Sequence, residues 1–116
     1  MVKELIQRVF AARNCAHLRH WATDSYAEHM ALGDFYDDVI ESLDAFVEAY
    51  QGANNKVGKV TPQEYSGNVL KCLEDDAVWL SVNRDGLANG VSALENLLDN
   101  LMGNYLTALY KLRFLK

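Results

Sequence analysis

Apolar residues recur at helical spacing along nearly the whole chain. Leu5, Val9, Ala12, Ala16 and His20 step by four, three, four and four, so one face of a first helix runs from aliphatic core into an imidazole. A break follows at Ala22-Thr23-Asp24. Ser25-Tyr26-Ala27-Glu28 then reads as a capping box, in which hydroxyl and carboxylate satisfy each other's unpaired amides, and predicts a second helix from Tyr26 to just before Gly52. Phe35, Tyr36, Val39, Ile40, Leu43, Phe46 and Val47 give that helix apolar residues on two sides.

Residues 52–60 hold turn formers without a period and predict the one long connection. Thr61-Pro62-Gln63-Glu64 predicts the restart: threonine caps, proline suits the first helical position, and glutamate closes the box. Tyr65, Val69, Cys72, Leu73, Ala77 and Leu80 form the expected buried face of the third helix. After a break at Asn83-Arg84-Asp85-Gly86, residues Leu87, Val91, Leu94, Leu98, Leu101, Tyr105, Ala108, Leu112 and Leu115 alternate steps of four and three, as in a helix packed lengthwise on others. No stretch alternates as a strand does. The pattern predicts an all-α fold, an antiparallel four-helix bundle with two short turns and one longer connection, as a single domain over residues 1–116.

Charge narrows the function classes. Residues 1–19 hold four basic residues and one acid, residues 20–55 hold eight acids and no Lys or Arg, and residues 56–116 hold seven of each. No basic stripe exists for a phosphate backbone, which argues against direct nucleic-acid binding. No apolar stretch approaches the ~18 residues of a membrane span, and the start carries no signal segment, so the expected location is cytoplasmic. Cys15 and Cys72 are too few for a disulfide framework and read as buried thiols; Cys15, two residues from His17 on a helix, points to another face and makes a poor nucleophile pair. No glycine-rich phosphate loop is present.

Candidate chemistry gathers at the first turn. All three histidines, His17, His20 and His29, fall within thirteen residues, and the acids Asp34, Asp37, Asp38, Glu41, Asp44 and Glu48 follow. Imidazole and carboxylate together suit borderline divalent cations such as iron, manganese and zinc. His20 and His29 flank the turn, so antiparallel packing brings them together, with His17 one turn deeper. The same residues, with Trp21, equally serve to fill and hydrogen-bond the end of a bundle. His29 and Glu48 lie about 28 Å apart along one helix and cannot hold one ion within a chain. Two copies of the second helix, antiparallel about a two-fold axis near Asp37 and Asp38, bring His29 of one toward Asp44 and Glu48 of the other, with Tyr36, Asp37 and Ile40 at the interface.

These residues resemble the Dps-like mini-ferritins of the ferritin-like superfamily: His20-Trp21 closing a first helix, His29 on the second, then Asp44 and Glu48 at spacings of fifteen and nineteen. Gly33 stands where that family has an aspartate. The resemblance implies a ferritin-like bundle and a homo-oligomer, at least a dimer, with intersubunit sites that bind and oxidise ferrous iron through His20, His29, Asp44 and Glu48, His17 being a reserve ligand. The ending Glu48-Ala49-Tyr50-Gln51-Gly52 is also similar to an uncharacterised group of short proteins encoded by tailed bacteriophages, which implies a host-cell cytoplasm. The competing expectation is a non-enzymatic helical interaction protein that binds a host protein or small ligand.

Overall fold

The computed structural model describes residues 1–116 as four helices without strands: α1 (Val2–Ala22), α2 (Tyr26–Ala53), α3 (Val69–Ala88) and α4 (Ser92–Phe114). Each has an aliphatic stripe, and the stripes merge into one core containing Leu5, Val9, Leu32, Phe35, Leu43, Phe46, Leu73, Leu98 and Leu101. The expected all-α four-helix bundle is the architecture found. No helix is long and apolar enough to cross a membrane.

Side-chain pairings fix the helix directions. Arg19 meets Glu28 across the α1–α2 turn, and Arg8 meets Asp76, so α1 runs antiparallel to both α2 and α3. Arg84 with Asp99 and Arg113 with Glu74 make α4 antiparallel to α3, and Lys111 with Asp34 makes it antiparallel to α2. Consequently α2 and α3 run the same way, and residues 54–68 climb back along the bundle between them. They do so outside α1: Gly58 lies beside Lys3, the Thr61 carbonyl accepts from Gln7, and Gly67 lies beside Cys15.

That climb overturns the expected start of α3. At Thr61 the chain has reached only the level of Gln7, about 12 Å short of Cys15 along α1. A helix descending from Pro62 would leave the upper half of α1 without α3, so residues 62–68 stay non-helical and complete the ascent. The cap is Asn68, whose side-chain oxygen accepts from the Lys71 amide at 3.1 Å. Tertiary direction overrides a strong local signal here.

The expected break at Asn83–Gly86 is also absent. Asn83 folds its amide onto the Trp79 carbonyl, Arg84 forks to Asp99, and the missing Cβ of Gly86 admits Met1, so all four remain helical. Leu87 therefore belongs to the buried stripe of α3, and Val91 is the exposed N-cap residue of α4. The turn is made by Asn89 and Gly90, both with positive φ, the first a left-handed C-cap. Gly52 lies inside α2, which ends one residue later at Ala53. At Ser25 half of the capping box forms: its hydroxyl accepts from the Glu28 amide, while the Glu28 carboxylate turns to Arg19.

Asn68→Ala is expected to lower stability by about 1 kcal/mol, the usual worth of an N-cap side chain. Thr61→Ala should stay within about 0.5 kcal/mol of wild type, because only its backbone is used. Denaturant unfolding of both variants checks the pair; a larger loss at Thr61 would return the helix start to Pro62.

Candidate functional site: the histidine corner

The last turn of α1 leaves carbonyls without helical partners. One of them, His20 O, accepts from His29 Nδ1 at 2.8 Å, and His29 O is met by His20 Nδ1 at 2.6 Å. Carbonyl oxygen only accepts, so Nδ1 is the protonated nitrogen of both neutral rings. The exchange brings the imidazoles face to face, with centroids 3.6 Å apart and planes 16° from parallel.

A second stack supports the first. His17 lies on the Tyr36 ring at 4.0 Å and 15° and also touches Trp21 at 4.5 Å, while Tyr36 meets His20 edge-on at 5.3 Å. The Arg13 guanidinium sits 5.2 Å over Tyr36. Space for the His20 ring depends on Gly33: a Cβ built there would stand 3.0 Å from His20 Cε1. A side chain at this position would require the His20 ring to give way by a few tenths of an ångström. Trp21 is 68% exposed and Tyr26 76% exposed, with Leu18 and Met30 also exposed around the same corner.

The structure thus joins His17, His20 and His29, and adds Tyr36 to them. It does not join them to the acids. Asp44 and Glu48 lie fifteen and nineteen residues beyond His29 on one continuous helix, roughly 22 and 28 Å away, exposed and without an ion-pair partner. No group of three or more His, Cys, Asp or Glu within the chain could hold a metal ion. Asp37 is exposed, whereas Tyr36 and Ile40 are half-buried against their own core.

Nor does the stack suit chelation. An imidazole lone pair lies in its ring plane, and two nearly parallel planes 3.6 Å apart do not meet within the ~2.1 Å of a metal–nitrogen bond. His20 and His29 as arranged cannot share one ion; each retains an unprotonated Nε2 of its own.

Residues 20–112 match a family of unknown function, DUF5856. The chain belongs to this family. The matched segment contains His20, His29 and Tyr36 and leaves out His17 and Arg8. No curated protein and no solved structure matches the chain.

A second polar cluster lay hidden in the buried stripe of α3. Asp76 is 6% exposed and accepts from Arg8 Nη1 at 3.0 Å and from Tyr105 Oη at 2.9 Å, tying α1, α3 and α4 together; Arg8 also lies 5.0 Å over Trp79. The signal was its spacing, since 69, 73, 76 and 80 step as core positions do. Burial raises the Asp76 carboxyl above its ordinary range, against the lowering pull of the Tyr105 and Arg8 hydrogen bonds. Burial likewise pushes the Cys72 thiol up to about 12 and raises Cys15, which leaves both sulfurs poor nucleophiles. Between α1 and the crossover runs a groove of about 500 Å³, lined by Arg13, Cys15, His17, Trp21 and Tyr65 among others.

Two outcomes follow. Gly33→Ala, which would add up to about 1 kcal/mol in an ordinary helix interior, should instead give no gain or a loss in thermal stability, because a clamped His20 ring must move. A clear gain would show the ring to be free. Asp76, with its folded value above the unfolded one, favours folding most when protonated; that contribution is complete below the unfolded value and lost as pH rises through the folded one. Wild type should therefore gain stability relative to Asp76→Asn on acidification, as read by unfolding at neutral and mildly acidic pH.

Proposed function

We propose that the protein is a helical interaction protein, one that binds through the α1–α2 corner and assembles with copies of itself. The observation that carries this reading is the exposure of Trp21 and Tyr26, with Leu18 and Met30, on a corner whose backbone is held by the His20–His29 exchange. Single exposed apolar residues are ordinary, but large aromatic side chains gathered on a rigid support are what interface anchors consist of. The centre of α2 is a poorer surface for a second copy. Asp37, Glu41, Asp44 and Glu48 follow one another along its outer side with no Lys or Arg on the helix, and two such faces repel each other.

Sedimentation velocity in the presence of a chelator tests this reading. The wild type should sediment as a dimer or larger at micromolar concentration, and Trp21→Ala or Tyr26→Ala should weaken association about tenfold or more, equivalent to roughly 1.4 kcal/mol. A wild-type monomer under these conditions would overturn it.

Two observations favour a second reading, a ferritin-like oligomer with a metal site between copies. Hydrogen bonds from Nδ1 to backbone carbonyls are how metal-binding histidines are commonly oriented, leaving Nε2 as the ligand. The single long crossover is also the connectivity of ferritin-like bundles. In this reading His29 of one copy, with His17 or His20 held apart from it, and Asp44 and Glu48 of the other would hold a divalent ion such as iron. Bound iron would supply electrons to oxygen or peroxide. Fe(II) or Zn(II) titration of wild type, His29→Ala and Glu48→Gln separates the readings: tighter binding by wild type, with a chelator-sensitive dimer, supports the metal site, and equal weak binding by all three removes it.

A further inference from the structure

We propose that the groove between α1 and the crossover is a binding site for an aromatic carboxylate, with Arg13 holding the carboxylate and Trp21, Leu18 and Tyr65 holding the ring. The site shares Trp21 with the corner but does not need the association proposed there. At about 500 Å³ the groove falls within the usual range of small-molecule sites, roughly 300–1,000 Å³. Two walls make it. Arg13, His17 and Trp21 recur every four residues along one side of α1, and Tyr65 and Ser66 of the crossover form the other wall, with Asn14 and Leu18 on α1 between them.

Charge decides the ligand class. Four of the five arginines of the chain, Arg8, Arg19, Arg84 and Arg113, meet a carboxylate within it. Arg13 is the exception. It is half-buried, lies 5.2 Å over the Tyr36 ring, and spends one donor, Nη1, on the Asn14 side-chain oxygen at 3.1 Å. The ring holds the guanidinium in place, and the rest of its planar donor fork, the shape that takes a carboxylate, stays unused. The Trp21 indole N–H and the Tyr65 and Ser66 hydroxyls add further donors to the lining. A ligand that satisfies these groups is an acceptor and carries negative charge. Glu64 is the one acid of the lining; it is exposed and also borders the neighbouring hollow that holds Arg8, and its charge opposes an anion in the groove.

Apolar surface sets the rest of the ligand. Trp21 is 68% exposed and Leu18 63% exposed at the groove. Tyr65 folds over Gly67 so closely that a Cβ there would stand 2.7 Å from its hydroxyl, which makes its ring a fixed wall. Flat rings pack best against such faces. Trp21 lies two turns beyond Arg13, about 12 Å along the helix, so a fused two-ring acid bridges them better than a single-ring one.

Titration of the intact protein with 2-naphthylacetate, followed by its amide, indole and guanidinium NMR signals, tests the site. Saturable shifts are expected at Arg13, Trp21 and Tyr65 but not at Trp79, with a Kd of about 1 mM or tighter. The neutral 2-naphthylacetamide should bind about tenfold or more weakly, and phenylacetate more weakly than the two-ring acid. Arg13→Gln should cost the acid about tenfold or more while leaving the amide unchanged, and Glu64→Gln should leave binding of the acid as it is or tighten it. The comparison of acid with amide on wild type decides the matter even where Arg13→Gln folds poorly. Equal binding of acid and amide, a folded Arg13→Gln variant that binds the acid as wild type does, or no saturable shift at the groove would each overturn the site. Inorganic phosphate giving the same shifts at the same concentration would also overturn it, by showing a bare anion patch with no part for the ring.

Discussion

His20 and His29 each direct Nδ1–H to the other residue's carbonyl, and the character of the corner follows from that exchange. It satisfies a helix-end carbonyl that would otherwise need water, fixes the tautomer of both rings, and draws them into a stack that leaves little room for a side chain at position 33. It also separates two roles that a histidine pair can play. Rings turned edge-on to a common point make a chelate; rings laid flat on one another make a clamp. This pair is laid flat.

The second constraint is directional. Because α3 runs parallel to α2, the chain must travel back up the bundle before α3 can begin, and it does so along the outside of α1. That strap forms the groove beside Trp21 and Tyr65, delays the helix start to Asn68, and sets Asp76 opposite Arg8 and Tyr105. With the corner at one end and half-buried Arg8 joined to buried Asp76 and Tyr105 further along, α1 is held on both of its packed sides.

Much of this was legible in the chain. The stripe of α1, the stripe of α4 from Leu94 to Ala108, the turn at Ala22–Ser25, the Ser25 cap and the meeting of His20 with His29 all depend on residues close in sequence, where spacing and cap chemistry decide. The errors share one cause. Thr61-Pro62-Gln63-Glu64 and Asn83-Arg84-Asp85-Gly86 carry local signals that the path of the chain overrules, the first because the crossover is still ascending, the second because Leu87 and Ala88 extend a buried stripe. Asp76 was missed because a carboxylate at a core spacing is recognisable only once its partners, 68 and 29 residues away, are known. Spacing also places Asp44 and Glu48 far along the histidine helix from the corner; that both face solvent shows only in the packing.

Ring-nitrogen chemical shifts of His20 and His29, recorded at neutral pH with and without added Zn(II), test the central claim most directly. The clamp predicts Nδ1-protonated tautomers for both rings, with through-bond couplings to the facing carbonyls that persist when zinc is added. Nε2-protonated rings, or loss of both carbonyl couplings as zinc binds stoichiometrically, would contradict it and make the pair a ligand set.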